Sequence, residues 1–207
     1  MAKHASANKT TKNMATFNSI PAQLAKDNRK FQYKVIKTGA RANEYETPLD
    51  WLIVSGVIIK CNKVTEGKLP LSVYQDNNIF KIYMTDTRLL SSKFGIPANI
   101  ILTIDHIMNG FKGALTDNYV CSHLIYNGYI PYYWGTPGKA ELDFVIQDNE
   151  GNIIPIEFKS SNNVKAKNSN IFINKYKPKF SIRISTKNFD FDNILNQFLC
   201  MRCFVYN

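Results

Sequence analysis

The sequence lacks any long hydrophobic run. Its longest apolar stretch, WLIVSGVII at residues 51–59, is nine residues long and is interrupted by Ser55 and Gly56, whereas a transmembrane helix needs about 20 apolar residues. The N-terminus also lacks the apolar segment of a secretory signal peptide. We therefore expect a cytoplasmic protein that has no membrane partner.

Cysteine is scarce, and a phosphate-binding loop is missing. The four cysteines, Cys61, Cys121, Cys200 and Cys203, are too scattered for a disulfide framework. Cys200 and Cys203 form a CxxC in an apolar segment without a second pair, so we interpret them as structural thiols rather than a metal or redox site. No glycine-rich loop with a Walker-type lysine occurs, and we assign no ATP hydrolysis to these residues.

Acidic residues are few and basic residues are concentrated. The chain has 26 Lys and Arg against 16 Asp and Glu, and its net charge is +10. Residues 1–41 hold nine bases and one acid, and residues 155–187 hold eight and one. Two basic blocks predict an anionic partner, DNA first, although a solubilising surface is the alternative. The candidate nucleic-acid contacts are Arg29, Lys30, Lys34, Lys37, Arg41, Lys165 and Lys167.

The first half of the chain has the element order of a winged helix. We expect residues 1–15 to be a basic flexible arm or linker and residues 16–96 to form a winged-helix-like domain. Ser19 is predicted to cap its first helix with Pro21 in the first turn, and the second helix is predicted to run from Pro48 to Gly56. Two strands follow. Such a domain can contact DNA or dock against an ATPase module, and the sequence leaves both uses open.

The second half, residues 97–207, predicts an α/β (α+β) core. An amphipathic helix at 112–128 leads to a strand at 129–136 and a hairpin at 141–161, and a further helix, a strand and an apolar terminal segment follow. The order of these elements is αβββαβ.

Alternation of apolar residues fixes the register of the hairpin. Leu142, Phe144 and Ile146 are expected to share one face with Ile154, Ile156 and Phe158. The register that achieves this places Asp143 opposite Glu157 and leaves a three-residue loop at 149–151. Gly151 then occupies the left-handed position that such a loop requires. Lys159 follows Glu157 on the same strand.

Two carboxylates about 5 Å apart on neighbouring strands repel each other and are costly to bury unpaired. A divalent cation relieves the repulsion, so Asp143, Glu157 and the carbonyl of Phe158 are predicted ligands of Mg²⁺, or of Mn²⁺ as its substitute. Lys159 is positioned to orient the attacking water and to stabilise charge on a phosphate. The alternative is a solvated salt-bridge ladder without a metal.

The arrangement Asp143, then Glu157-Phe158-Lys159, resembles the PD-(D/E)xK nuclease superfamily. Residues 16–207 also resemble the domain of unknown function found C-terminal to the ATPase module of bacterial AAA-type ATP-binding proteins, on the stretches FKIYMTD, KGALTDNYV, YYWGTPGKAELDFVI, IPIEFKSS and FSIRIS among others. This resemblance implies a winged-helix part, a restriction-endonuclease-like part and an AAA ATPase module as partner, in cis or in trans.

The resemblance also implies a further acid on the first core helix. That family usually carries a Phe-Glu-Asn stretch there, and this sequence has Thr116-Asp117-Asn118, so Asp117 is a third candidate metal ligand. Two functions remain open: a Mg²⁺-dependent nuclease or nuclease-derived DNA-binding domain, and a regulatory or scaffold module without catalysis.

Overall fold

The computed structural model describes residues 7–26, 29–95, 109–136, 140–159, 167–185, 190–192 and 195–199. Its helices are α1 (Ala7–Leu24), α2 (Tyr33–Ile36), α3 (Ala42–Val54), α4 (Thr87–Phe94), α5 (Asn109–Tyr126) and α6 (Lys167–Tyr176), with a 3-10 turn at Leu71–Tyr74. Its strands are β1 (Ile58–Val64), β2 (Gln75–Met84), β3 (Tyr132–Thr136), β4 (Ala140–Gln147), β5 (Ile153–Lys159), β6 (Ser181–Ser185), β7 (Asp190–Asp192) and β8 (Leu195–Leu199).

The described strands form a mixed sheet in the order β2-β1-β3-β4-β5-β6-β8-β7, which confirms the mixed α/β class. Within the described ranges, every helix is too short or too polar to cross a membrane.

Of the residues singled out from the sequence, Lys165, Cys200 and Cys203 lie outside the described ranges. Cys61 and Cys121 are buried free thiols.

Backbone contacts divide the chain into two units that interleave in sequence. The first unit comprises Met1–Lys60 with Ile79–His123, and the second comprises Cys61–Asn78 with Leu124–Asn207. The predicted domains, 16–96 and 97–207, are contiguous instead. The difference arises at β1 and β2, because each of these strands is divided between the units. A prediction that divides the chain into consecutive segments cannot assign one strand to two units.

In the first unit, α1 packs against α2, α3 and α4. Leu24 on α1 and Leu52 on α3 are fully buried. Helix α1 begins at Ala7, so the described part of the predicted flexible arm is helical. Ser19 does not cap this helix but lies inside it, where its hydroxyl donates a 2.7 Å hydrogen bond to the carbonyl of Thr16. A serine that satisfies its hydroxyl in this way is compatible with a helix interior.

Helix α3 begins at Ala42 rather than at Pro48, which lies inside it. A proline in a helix interior costs about 3 kcal/mol because it removes a hydrogen bond and crowds the preceding turn. Here Tyr45, Leu49 and Leu52 are buried on both sides of the proline, and Pro48 is buried as well. We attribute the continuous helix to this apolar stripe, whose packing outweighs the local cost. The helix ends before Gly56 (φ +70°), as predicted.

The predicted order of helix, short segment, helix and two strands is present as α1, α2, α3, β1 and β2. Strand β1 also pairs in parallel with β3, through Asn62 with Tyr132 and Val64 with Trp134. The two-stranded ribbon therefore continues into a larger sheet. The winged-helix arrangement therefore stays a prediction.

The second unit contains most of the predicted core, and α5, β3, β4, β5, α6 and β6 follow one another along the chain in the predicted αβββαβ order. Strands β3, β4 and β5 pair antiparallel, and β5 pairs in parallel with β6. Helix α6 packs against β4 and β5. Its fully buried Phe172 joins Trp134, Leu142 and Val145 in the apolar core of this unit.

The hairpin β4–β5 has the predicted register. Phe144 pairs with Ile156 and Ile146 with Ile154, and Asp143 and Glu157 are the next residues beyond the Phe144–Ile156 pair. Beyond the strands, the backbone N–H of Asp148 donates to the carbonyl of Asn152 at 3.0 Å. The loop is therefore the predicted 149–151, and its Gly151 is left-handed with φ +81°.

The prediction of one shared apolar face on β4 is wrong at its first residue. On β3, Tyr132 pairs with Val145 while Trp134 pairs with Leu142, so two steps on β3 oppose three steps on β4. The extra residue makes a β-bulge, and as a result Leu142 and Val145 both reach the core around Phe172. Bulges reverse the facing of side chains on one side of the irregularity, and apolar alternation alone does not reveal them.

Candidate functional site

Asp143 lies on β4 within the bulged segment. Its side chain is half-buried, and its Oδ2 accepts a 2.8 Å hydrogen bond from the backbone N–H of Phe158 on β5. Bulges are frequent next to active sites because they redirect a side chain from its place in the pleat. The carboxylate is therefore fixed beside the strand segment that carries Glu157, Phe158 and Lys159.

Glu157 lies on β5 and is only 3% exposed. Its Oε2 accepts a 2.6 Å hydrogen bond from the hydroxyl of Ser169, which lies in the first turn of α6 and is also buried. Hydrogen bonds to ionised acceptors are short and roughly twice as strong as neutral ones. Ser169 therefore fixes the orientation of Glu157. The sequence analysis missed this serine, because its contact with Glu157 depends on how α6 packs on the sheet.

Arg183 is the neighbour of Glu157 on the next strand. The two residues are register partners in the parallel β5–β6 ladder, as are Lys159 and Ser185. Arg183 is 9% exposed, and its buried Nε has no hydrogen-bond partner. A buried cation next to a buried anion lowers the electrostatic cost of both. The pattern SIRIS placed Arg183 on the face opposite the isoleucines, but it contained no signal that a helix covers this face.

Asp117, the predicted third ligand, belongs to the first unit and has a partner there. Its carboxylate forms an ion pair with Arg29, and the Asp117 side chain is 3% exposed. Arg29 reaches it across Gly113 on α5, where an added Cβ would lie 2.5 Å from the guanidinium Nη2 of Arg29. Glycine at 113 is therefore what lets the guanidinium lie against the helix. Arg29 was predicted to contact nucleic acid. In the structure, its guanidinium charge is compensated by Asp117.

The next residue, Asn118, ties α5 to the end of β2. Its amide accepts from the backbone N–H of Met84 at 2.7 Å and donates to the Met84 carbonyl at 3.0 Å. A third bond runs from its Nδ2 to the hydroxyl of Thr87. The Asp117-Asn118 pair thus forms a buried polar anchor of the first unit.

The other basic candidates differ in exposure. Lys34, Lys37 and Arg41 are exposed, Lys30 is half-buried at a β-bridge with Lys81, and Lys167 begins α6. Helix α3 exposes three acids close by in sequence, Glu44, Glu46 and Asp50. The pKa of Tyr33 is raised, first by burial and then by the charges of Glu46 and Asp50. Acids therefore border the basic segment 34–41 in this unit.

The candidate site contains few acidic donors. Across the described ranges, no three His, Cys, Asp or Glu side chains are grouped as metal ligands. Mg²⁺ commonly uses only one or two protein carboxylates and keeps water and phosphate oxygens in its remaining positions. Asp143 and Glu157, which come from adjacent strands, fit that smaller donor set.

Two family models match the chain, each over slightly less than half of its length. Residues 112–204 are similar to a domain of unknown function (DUF4143), and residues 1–99 are similar to a second domain of unknown function (DUF8612). The first of these domains often lies C-terminal to AAA proteins. No curated protein and no solved structure gave a significant match.

Proposed function

We propose that the β3–β6 region is a PD-(D/E)xK-type, nuclease-derived domain that associates with DNA and hydrolyses phosphodiesters with Mg²⁺. The observation that carries this proposal is that Asp143 and Glu157 each lie one residue beyond the Phe144–Ile156 pair on adjacent strands, with the Asp143 carboxylate bonded to the Phe158 N–H. The αβββαβ order also supports it, with three antiparallel strands followed by a helix and a parallel strand. Glu157-Phe158-Lys159 then supplies the second half of the motif.

Each residue has a distinct role in this proposal. Asp143, Glu157 and the carbonyl of Phe158 would hold the Mg²⁺, which supplies Lewis acidity at the phosphate. Ser169 holds the Glu157 carboxylate in one orientation, and the Phe158 N–H does the same for Asp143. Lys159 would orient the attacking water and stabilise negative charge on the phosphate. Arg183 limits the cost of burying Glu157.

A cleavage assay tests the proposal. Plasmid and single-stranded DNA are incubated with the protein and Mg²⁺ or Mn²⁺, and cleavage by Glu157→Gln is compared with cleavage by Glu150→Gln. Glu150 is the matched control because it is an exposed acid at the turn of the same hairpin. We expect cleavage to fall at least about a hundredfold in Glu157→Gln, the scale for losing one electrostatic group in a site, and to persist in Glu150→Gln. Equal cleavage by both variants would contradict the assignment.

Metal binding is measured separately by melting temperature. A ligand that binds only the folded state stabilises it by about 2.7 kcal/mol at a hundredfold excess over Kd, so Mg²⁺ or Mn²⁺ should raise the Tm. Asp143→Asn should lose most of this rise, while its amide oxygen still accepts from Phe158. Without metal it should be as stable as the wild type or more so, because one repelling charge is gone. If Asp143→Asn melts markedly lower in EDTA, the carboxylates belong to a structural ladder.

A second candidate function is a non-catalytic module that docks on an AAA ATPase, in cis or in trans. The Arg29–Asp117 ion pair favours it, because it occupies the helix acid that the superfamily resemblance assigns to the metal. The domain that residues 112–204 resemble often lies C-terminal to AAA proteins, which is the reason for proposing an ATPase as the partner. A stable complex with such an ATPase, together with no cleavage of any nucleic acid, would support this function over the first.

A further inference from the structure

The second unit contains a cleft at the turn end of the β4–β5 hairpin. Its volume is about 200 Å³, and three segments line it: Gly67 and Leu69 before the 3-10 turn, residues 151–153 of the hairpin, and Phe172 with residues 176–179 around the end of α6. Ile153 and Glu157 are separated by roughly 13 Å along β5, at ~3.3 Å per residue. The cleft is therefore distinct from the Asp143–Glu157 site.

The walls of the cleft are fixed by contacts that leave little freedom. Gly67 carries no side chain where a Cβ would lie 2.5 Å from the ring of Phe172. The hydroxyl of Tyr176 donates a 2.8 Å hydrogen bond to Glu66, and Lys175 bonds the other oxygen of Glu66 at 3.3 Å. These contacts join the 66–69 segment to the end of α6.

The hairpin side is equally well defined. Asp148 accepts hydrogen bonds from the backbone N–H groups of Glu150 and Asn152, at 2.9 and 2.7 Å, and from the Asn152 side chain at 2.7 Å. The turn therefore presents Gly151 and Asn152 to the cleft in one conformation. A cleft with fixed walls loses little entropy when a ligand binds.

The charged side chains that line the cleft are all positive. The lining contains two lysines, Lys177 and Lys179, and no Asp or Glu. Phe172, Tyr176, Leu69 and other apolar groups supply the rest of the wall apart from one asparagine and two glycines. A ligand that suits this lining has a flat or apolar body and an anionic group at its edge. The volume is below the roughly 300–1,000 Å³ of pockets for drug-sized ligands, so it fits a single ring system.

Lys177 has a backbone conformation that lysine rarely adopts. It follows α6 in the left-handed region with φ +48°, and its N–H closes the helix on the carbonyl of Ile173 at 2.8 Å. This position normally belongs to glycine or asparagine, because a Cβ there is strained. Residues held in such conformations cluster at ligand-binding sites. The cation at the rim of the cleft is therefore present in spite of a local conformational cost.

We propose that this cleft binds one nucleotide unit, with its base against the partly exposed ring of Tyr176 and its phosphate at Lys177 and Lys179. The same chemistry is present in a free nucleoside phosphate and in the end of a single strand, where aromatic groups and cations commonly act together. The inference does not depend on the proposed nuclease activity, since the two sites use different residues.

The fluorescence of Trp134 reports directly on this cleft. Its ring centroid lies 6.0 Å from that of Tyr176 in the cleft wall, and the protein has two tryptophans. In a Trp51→Phe background, Trp134 is the remaining one. Titrations with a nucleoside monophosphate, a short single-stranded oligonucleotide, ribose 5-phosphate, inorganic phosphate and a phosphotyrosine peptide then compare the ligand classes.

The test variant is Lys177→Gly with Lys179→Gln, and its matched control is Lys9→Gln with Arg88→Gln, which removes two exposed cations of the first unit that are not among the candidate nucleic-acid contacts. Glycine at 177 relieves the left-handed strain, so the test variant should melt no lower than the wild type, and lost binding cannot then be ascribed to unfolding. We expect its nucleotide affinity to fall at least about tenfold, the scale for a lost hydrogen bond to a charged group, and the control to remain within about twofold.

Comparing the affinities of these ligands identifies which chemical class the cleft binds. Tighter binding of the monophosphate supports a free nucleotide, and tighter binding of the oligonucleotide supports a strand end. The proposal is overturned if neither nucleotide form binds, if the test and control variants weaken binding equally, if inorganic phosphate or ribose 5-phosphate binds as tightly, or if the phosphotyrosine peptide is preferred.

Discussion

The two units each bury an acid that the sequence nominated as a metal ligand, and they compensate its charge differently. In the first unit, Asp117 forms an ion pair with Arg29. In the second, Glu157 accepts a hydrogen bond from the neutral hydroxyl of Ser169, with Arg183 as its register neighbour. A carboxylate that forms an ion pair with a guanidinium contributes to the stability of the fold. Two buried candidate ligands thus have different kinds of partner, so burial alone does not mark a site.

Breaking the Arg29–Asp117 pair should have the largest effect on stability. Arg29→Met leaves Asp117 as a buried charge without its guanidinium, and we expect the free energy of unfolding to fall by about 3 kcal/mol. The measurement is urea denaturation. Arg88→Met is the matched control: Arg88 pairs with Asp86 through a 93% exposed side chain, so little change is expected because water screens such pairs. Equal losses of unfolding free energy in the two variants would show that the buried Arg29–Asp117 pair stabilises the fold no more than the exposed Arg88–Asp86 pair.

Ser169→Ala tests the other form of compensation and should cost less. Removing the hydroxyl deprives Glu157 of a charge-assisted hydrogen bond, and we expect a loss of about 2 kcal/mol in the free energy of unfolding. The control is Ser122→Ala, whose hydroxyl donates to the carbonyl of Tyr119 within α5 and should contribute less. If Ser169→Ala unfolds at the same denaturant concentration as the wild type, Ser169 does not hold Glu157.

Gly151→Ala should produce a smaller change and tests the register that aligns Asp143 with Glu157. An added Cβ meets only an ordinary contact, 3.5 Å from Cδ1 of Leu69, so the cost is the left-handed backbone conformation, about 1 kcal/mol. Gly151→Asn should cost less, since asparagine tolerates this conformation. Thermal unfolding of the three proteins measures both values. An alanine variant as stable as the wild type would mean that the turn adopts another conformation.

The smallest effect should come from Glu66, an acid at the edge of the second unit. The pKa of Glu66 is lowered, first by the hydrogen bond from the Tyr176 hydroxyl and also by Lys175. A lowered folded-state pKa adds stability that is fully present above the ordinary value near 4.3 and is lost as pH falls through the folded value. Unfolding measured down to about pH 3 should thus show a small acid-side loss that Glu66→Gln lacks. Identical pH profiles would contradict this contribution.

The local sequence predicted the hairpin well. Alternating apolar residues and Gly151 gave the pairing of Phe144 with Ile156 and the 149–151 loop, because strand register depends on a two-residue period and on a turn that only some residues can adopt. The order of helices and strands in residues 109–185 was predictable for the same reason. These features depend on residues that are close together in sequence.

Several local predictions failed where packing between distant segments decided the outcome. Pro48 lies within α3 because Tyr45 and Leu52 bury one continuous stripe. The bulge near Asp143 follows from how β3 pairs with β4. A single sequence contains no record of which strand or helix will lie against a given residue, so propensity and alternation give the wrong answer at these positions.

The sequence by itself determined the element types, the β4–β5 register and the nomination of Asp143, Glu157 and Lys159, since each follows from short-range periodicity and residue chemistry. Only the tertiary structure decided how the charges are compensated. Ser169 is 12 residues from Glu157 in the chain, and Arg29 is 88 residues from Asp117. Buried charges require nearby partners. Which residues become those partners depends on how α5 and α6 pack, and no local sequence pattern encodes that packing.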